Sequence, residues 1–211
     1  IRPGNYFYMF PELSQGRKVI WDGSDKDGHR FTDYFPKQLV KRRRNDQMSI
    51  ELIPPEGYAN GSIFQIVGAD RYDSIMGTNA IGVVYSEYSL MKSEAAWNYV
   101  RPILNENDGW AIFIYTPRGK NHGYDLYRMA ENNPDWICEL LDIDKTFRGD
   151  GSPVITQKMY QAEIDAGMDP QLAQQEFYCS FDAGIFGAYY TDELKRSKIG
   201  DYHWNPAKTV H

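Results

Sequence analysis

Long apolar runs are missing from this chain of 211 residues, and no stretch reaches the roughly 20 consecutive apolar positions that a membrane-spanning helix needs. No membrane partner is therefore expected. Cysteine is scarce: Cys138 and Cys179 are the only two, too far apart for a metal knuckle or a dithiol redox motif. A disulfide scaffold is excluded, and reduced, buried thiols in a cytosolic setting are expected. Positive charge is not in excess either, with 23 Lys and Arg against 29 Asp and Glu and a net charge of -6. The chain as a whole has no pull toward nucleic acid or anionic lipid, so any such contact must be local. Histidine numbers four, and neither His29 nor His122 has a sequence neighbour at metal-ligand spacing. What is abundant is aromatic side chain, including 16 Tyr, whose plain explanation is large core and interface contacts. The length fits one core with at most a small appended unit.

Hydrophobic patterning divides the chain. Residues 5–10 are an aromatic run stopped by Pro11, which reads as a strand, and residues 12–21 fit one amphipathic helix. Residues 31–40 are expected to be helical with a break at Pro36, so that the basic run Lys41-Arg42-Arg43-Arg44 falls at a helix end. The alternating runs 49–53 and 62–67 flank a loop containing Asn60-Gly61 and read as a hairpin. Residues 81–86 and 111–115 are continuous apolar runs, the pattern of buried parallel strands. Between them a helix opens at Ser93 or Glu94, with Ala96, Val100, Ile103 and Leu104 at helical spacing and a kink or early end at Pro102. Residues 121–131 form a second crossover helix, closed by Asn132-Asn133-Pro134, and residues 136–141 a further strand. Alternating strand and helix argue an α/β sheet. Beyond Asp144 the character changes to helical: 157–166 stops at Gly167, and Asp169-Pro170 opens another helix as cap and first residue. Residues 181–187 read as a glycine-rich connector and 191–198 as a short polar helix.

Two clusters carry chemistry. Glu87 directly follows the apolar run 81–86, and Thr116 and Asn121 bracket a Pro-Arg-Gly turn that follows the run 111–115. Open parallel sheets bind ligands beyond the carboxyl ends of their strands, where both clusters fall. A carboxylate held there can activate a water, and a Thr/Asn pair beside helix-start N–H groups can face an anion. The plainer roles are a turn cap or arginine partner for Glu87 and a helix cap for Asn121. An acid/base glycosidase would instead need a second carboxylate across a groove, which Asp108 or Asp125 would have to supply, and nothing in their spacing argues for it.

These stretches resemble the large terminase subunit of tailed bacteriophages, the motor that packs viral DNA. Val83-Val-Tyr-Ser-Glu-Tyr-Ser-Leu-Met91 resembles the family's Walker B strand and catalytic glutamate, and Tyr115-Thr-Pro-Arg-Gly-Lys-Asn-His-Gly-Tyr124 its coupling motif. Tyr8-Met-Phe-Pro-Glu-Leu-Ser-Gln15 is similar to the segment after the P-loop helix. Gln175-Glu-Phe-Tyr-Cys-Ser-Phe181 is similar to the end of the helical subdomain, and Gly187-Ala-Tyr-Tyr-Thr-Asp-Glu-Leu194 to the join to the nuclease. The resemblance implies a partial P-loop ATPase core over residues 1–144, a small helical subdomain over 145–186 and a linker toward a nuclease domain over 187–211. It implies ATP and Mg2+ in the intact protein, with Glu87 polarising the attacking water, Ser86 near the magnesium hydration shell, and Thr116, Arg118 and Asn121 facing the phosphates and reporting their loss. Implied partners are double-stranded DNA, the portal protein, the small terminase subunit and further copies in a ring on the procapsid, in the host cytoplasm.

The departures from the family pattern are specific. No Gly-x-x-x-x-Gly-Lys-Ser/Thr occurs, so the P-loop and adenine-binding residues are expected before Ile1. Ser86 stands where many Walker B motifs carry aspartate. Met76, beside Gly77, stands where many relatives carry an arginine, with Arg71 the nearest substitute. Residues 205–211 read as the approach to the nuclease's first strand, and Asp201 and His203 as solvated loop. Arg42, Arg43 and Arg44 are candidates for DNA phosphate contacts or for an arginine finger toward a neighbouring subunit's ATP, beside the plain reading of a solvated surface. The chain alone is expected to be an inactive ATPase fragment, and the alternative is a non-catalytic DNA-binding or scaffolding fragment of the same machine.

Overall fold

The computed structural model describes residues 2–182. A six-stranded sheet in the order β2-β3-β4-β1-β5-β6 organises them. The strands are β1 (Asn5–Phe10), β2 (Val40–Arg44), β3 (Ser49–Leu52), β4 (Ile63–Gly68), β5 (Ala80–Ser86) and β6 (Trp110–Ile114). β1 pairs in parallel with β4 and β5, and β5 in parallel with β6, whereas β3 runs antiparallel to both β2 and β4. Four neighbouring strands thus place their carboxyl ends along one rim. The fold class is α/β with a mostly parallel sheet, as the strand and helix alternation predicts, and β3 and β4 form the expected antiparallel pair.

Strand alternation sorts the core into two faces. Phe7, Met9, Val83 and Tyr85 point to one, where α2 (Ala95–Glu106) and Leu126 of α3 (His122–Glu131) cover them. Phe113 of β6 joins this face, its ring stacked on Tyr85 at 4.7 Å and edge-on to Trp97 at 5.1 Å. Phe10 and Ile66 point to the other face and pack with Trp21, Met48 and Ile50. That side is covered by α1 (Leu13–Gly16), which continues as a π-helix over Arg17–Trp21, so the expected helix is present with a wider second half. α2 does not end early at Pro102 but runs through it to Glu106. Beyond the sheet, α4 (Gln157–Asp165) and α5 (Pro170–Tyr178) pack together. Gly167 takes the left-handed φ of 100° expected of a helix stop, and the Asp169 carboxylate accepts from the Gln171 and Leu172 N–H groups.

β6 is parallel as expected but not buried: it is an edge strand whose Trp110, Ile112 and Ile114 are about half exposed, because no further strand pairs with it among the described residues. Two other expected elements differ from what forms. Residues 31–40 make two short 3-10 turns, Phe31–Tyr34 and Lys37–Leu39, on either side of Pro36, and the basic run is the edge strand β2 rather than a helix end. The reason is cross-strand charge: Glu51 on β3 lies opposite Arg42 and binds Lys41 at 2.7 Å and Arg44 at 3.5 Å, so the basic side chains find their partner across a ladder. Residues 136–141 form no strand. Their exposure alternates residue by residue, but no neighbouring strand is there to accept a ladder. The expected helix at 191–198, the linker 187–211, Asp201 and His203 lie outside the described residues.

Gly16 shows how tightly α1 sits on the sheet. A Cβ there would lie 2.5 Å from Ile66 Cγ2 and 2.9 Å from Phe10 Cδ2. Glycine to alanine inside a helix ordinarily gains about 1 kcal/mol. Here the overpacking costs about 1–3 kcal/mol. Gly16→Ala is therefore expected to lower the urea midpoint, and a raised midpoint would contradict the close approach.

Candidate functional site

β5 ends at Ser86, and the next residue turns the chain. Glu87 takes the left-handed backbone conformation (φ 55°, ψ 41°), uncommon for any residue but glycine, and a single 3-10 turn, Tyr88–Leu90, follows. Its carboxylate stands half-buried at the rim and makes no hydrogen bond or ion pair with the described residues. A fixed, unpaired carboxylate at a strand end is available to orient and deprotonate a water. Ser86 is buried beside it on β5.

The loop after β6 holds this turn. Ser89 Oγ donates to the Thr116 carbonyl at 2.6 Å, and Asn121 Nδ2 donates to the Ser89 carbonyl at 2.9 Å. His122 Nε2 lies 2.8 Å from the Tyr88 carbonyl; because a carbonyl only accepts, that nitrogen carries the proton. The imidazole also meets the Tyr88 ring edge-on at 4.9 Å. Asn121 Oδ1 accepts from Gly123 N–H at 2.9 Å, so one amide both caps α3 and ties the turn. Sequence reasoning assigns His122 no role, since its partner is 34 positions away and no local pattern signals the contact.

On its other side the same loop reaches α5 and the residues beyond it. Arg118 forms an ion pair with Glu176 at 2.6 Å, and Lys120 with Asp182 at 2.8 Å. These pairs are partly to largely exposed, so they link the elements without locking them. Burial raises the phenols of Tyr85, Tyr88 and Tyr115 above their ordinary range, which keeps them protonated and out of acid/base work.

The remaining candidates lie apart. Arg71 sits exposed in the kinked 3-10 segment after β4, and β4 itself is two strand spacings, about 10 Å, from Glu87's strand with β1 between them. Met76 and Gly77 are exposed at the end of that segment. The arginines of β2 are four strand spacings from β5, roughly 19 Å. Arg43 is engaged there by the Trp21 ring at 4.7 Å, by Asn45 Oδ1 at 3.0 Å and by Thr32 Oγ1 at 3.2 Å. Lys41 and Arg44 hold Glu51, whose carboxyl is kept below its ordinary range first by the Lys41 hydrogen bond. Arg42 is exposed and makes no hydrogen bond or contact ion pair among the described residues. Asp108 lies at the amino end of β6, a strand length of about 16 Å from the rim, which exceeds the separation of a glycosidase carboxylate pair. The glycosidase reading is left without its second carboxylate there, and Asp125 is an exposed residue of the first turn of α3.

No group of three or more His, Cys, Asp or Glu side chains among the described residues is arranged to hold a metal ion. A nucleotide phosphate chain at this rim would lie beside the carboxylate and the loop after β6, but among the described residues no glycine-rich turn follows a strand to supply a cradle of N–H donors. The residues present thus fit part of a nucleotide site.

No protein-family model matches the chain. Among curated proteins, the terminase large subunit of Thermus phage G20c is 25% identical over 136 residues, which cover 61% of this chain and 28% of that protein. The terminase large subunit of Escherichia phage T5 is 30% identical over 140 residues, covering 59% and 30%. The chain thus matches less than a third of the length of these relatives. Among solved structures, the large terminase ATPase domain of Thermus phage P74-26 aligns with a TM-score of 0.52 at 18% identity, over 85% of this chain and 78% of that one. The large terminase of a thermophilic bacteriophage, solved in complex with ADP, aligns with a TM-score of 0.57 at 13% identity, over 86% and 41%. These structural likenesses establish the fold.

The clamp has a measurable signature. Leu90 N–H bonds to the Glu87 carbonyl and Met91 N–H to the Tyr88 carbonyl inside the turn. Asn121→Ala removes a helix cap, worth about 0.5–2 kcal/mol, and is expected to speed amide exchange at both Leu90 and the first turn of α3. Asn121→Asp keeps the cap but loses the donor to Ser89, so only the turn should loosen. Unchanged exchange at Leu90 and Met91 in both variants would show that Asn121 does not hold the turn.

Proposed function

We propose, from the premise that this chain is a relative of the phage large terminase subunits with the fold of their ATPase domain, that it is the Walker B and coupling-motif portion of an ATP-hydrolysing DNA-packaging motor subunit. The observation that carries the reading is Glu87: unpaired among the described residues, fixed on a left-handed turn at the rim, and clamped by the loop that would sense the phosphate. Phosphoryl transfer asks the protein mainly for positioning and charge stabilisation. In this reading Glu87 orients a water and accepts its proton, while the Ser86 hydroxyl offers an uncharged contact to hydrated Mg2+. Thr116 faces the phosphate end of ATP. Asn121 acts at one remove, since both ends of its amide are engaged, and Arg118 passes movement of the loop to α5 through Glu176.

The thermophilic-phage terminase solved with ADP supports nucleotide binding as the family's chemistry. Double-stranded DNA, the portal protein, the small terminase subunit, a ring of copies on the procapsid and the host cytoplasm complete the proposal, with residues 1–144 as the ATPase core, 145–186 as helical subdomain and 187–211 as linker. The missing phosphate cradle and Ser86 favour a second reading, a DNA-binding or scaffolding piece of the same machine. Nucleotide binding separates the two.

Residues 1–211 alone are expected to show negligible phosphate release. In the longer protein, Glu87→Gln should lower hydrolysis by about 10²–10⁴-fold while ATP affinity stays near wild type, because it removes the base and leaves the phosphate contacts. Turnover in the isolated chain that depends on Glu87, or hydrolysis in the longer protein that survives the substitution, would sink the proposal.

The β2 arginines divide by their contacts. Arg42→Ala is expected to weaken duplex binding evenly across sequences and to reduce the salt slope by about one unit, as loss of one phosphate contact does. Arg43→Ala should leave that slope unchanged and lower the melting temperature instead, since it strips a cation from Trp21. An unchanged slope for Arg42→Ala would mark the run as solvated surface.

A further inference from the structure

Two cations of the loop after β6 are held by one short acidic segment. Arg118 Nη1 binds Glu176 Oε1 at 2.6 Å on the last turn of α5, and Lys120 Nζ binds Asp182 Oδ1 at 2.8 Å, just past the end of that helix. Between the two carboxylates Phe181 packs against α3, its ring 5.3 Å from that of Tyr124 and 5.2 Å from that of Tyr127. Residues 176–182 thus touch the loop through two ion pairs and the helix that follows the loop through an aromatic contact. The turn that brings them there is made by Cys179, which ends α5 at a left-handed φ of 55°, and by the Ser180 N–H, which bonds back to the Gln174 carbonyl.

Glu176 is aimed at the loop by a second donor. Its Oε1 accepts from Gln175 Nε2 at 3.1 Å as well as from Arg118, and Gln175 is buried. Asp182 in turn holds the Lys120 ammonium above its ordinary range, first through their hydrogen bond. Two cations separated by one residue repel each other, and the two carboxylates of the segment neutralise both. The same loop opens at Thr116, whose carbonyl takes the Ser89 hydroxyl of the Glu87 turn. Arg118 is two residues, at most about 7 Å of chain, from that point at the rim. The planar fork of an arginine suits two phosphate oxygens at once, and a triphosphate gathers more negative charge on one group than two separate carboxylates do. Solvent-accessible carboxylate pairs are weak enough to give way to such an anion.

We propose that Arg118 and Lys120 form an anion-exchange switch: paired with Glu176 and Asp182 they close residues 176–182 onto the loop and α3, and a polyphosphate at the rim takes the two cations and frees that segment. That the polyphosphate belongs to a nucleotide rests on the ATPase reading above; the contacts of the segment do not. Occupancy of the rim is then read out at the end of α5. The helix itself stays seated, because the Ile143 N–H still bonds to the Phe177 carbonyl and Cys179 Sγ to the Leu141 carbonyl. The loosening is therefore confined to the turn after α5 and does not reach its middle.

The experiment follows amide hydrogen exchange of residues 1–211 in buffer, with millimolar inorganic tripolyphosphate, and with sodium chloride at the same ionic strength. Tripolyphosphate is expected to speed exchange from Ser180 to Asp182 by at least about fivefold over the chloride control and to leave Ala173, inside α5, unchanged. The double variant Glu176→Gln, Asp182→Asn keeps the shape of both exposed side chains and should melt like wild type. It is expected to exchange fast at Ser180 without the probe and to respond no further when the probe is added. An equal effect of chloride would show plain screening of surface ion pairs and overturn the switch. A double variant that exchanges like wild type, or a wild type indifferent to tripolyphosphate, also overturns it. Opening by tripolyphosphate with no ATP hydrolysis in the longer protein upholds the switch and sinks the ATPase reading. Hydrolysis that depends on Glu87, beside a segment that ignores tripolyphosphate, overturns the switch and leaves the ATPase reading standing.

Discussion

The turn after β5 holds Glu87 in a left-handed backbone conformation that costs on the order of 1 kcal/mol for a residue with a Cβ, and three hydrogen bonds from the loop after β6 keep it there. Two of those bonds end on backbone carbonyls of Tyr88 and Ser89, and the third is given by the Ser89 hydroxyl. None involves the Glu87 carboxylate. The restraint therefore fixes the position of the acid without occupying it, as the proposed role of Glu87 as a general base would require. A glycine would take the same φ more easily, but it would leave no acid to position.

The same restraint makes the two loops one mechanical element. β5 and β6 are neighbours in a parallel sheet whose buried faces meet through Tyr85, Phe113 and Trp97, so the strands themselves have little freedom to shift. Movement is left to the loops at the rim. There, Ser89, Asn121 and His122 join the Glu87 turn to the start of α3, while Arg118 and Lys120 reach α5 and Asp182 by partly exposed ion pairs. Part-buried hydrogen bonds thus tie one side of the loop to the Glu87 turn, while the ion pairs on its other side are exposed enough to break and reform at low cost.

Sequence revealed most of this where composition alone decides. The continuous apolar run 81–86 had to be a buried strand, and the rule for carboxyl ends then placed Glu87 and Thr116 on one rim. It failed where a distant partner decides. Lys41 to Arg44 looked like a helix end because nothing local says that Glu51, ten residues from Lys41, lies across a ladder. His122 looked idle because its acceptor belongs to another loop. Residues 136–141 are the instructive case: their pattern is that of a strand, but a strand is a property of a pair, and among the described residues no neighbour is there to pair with.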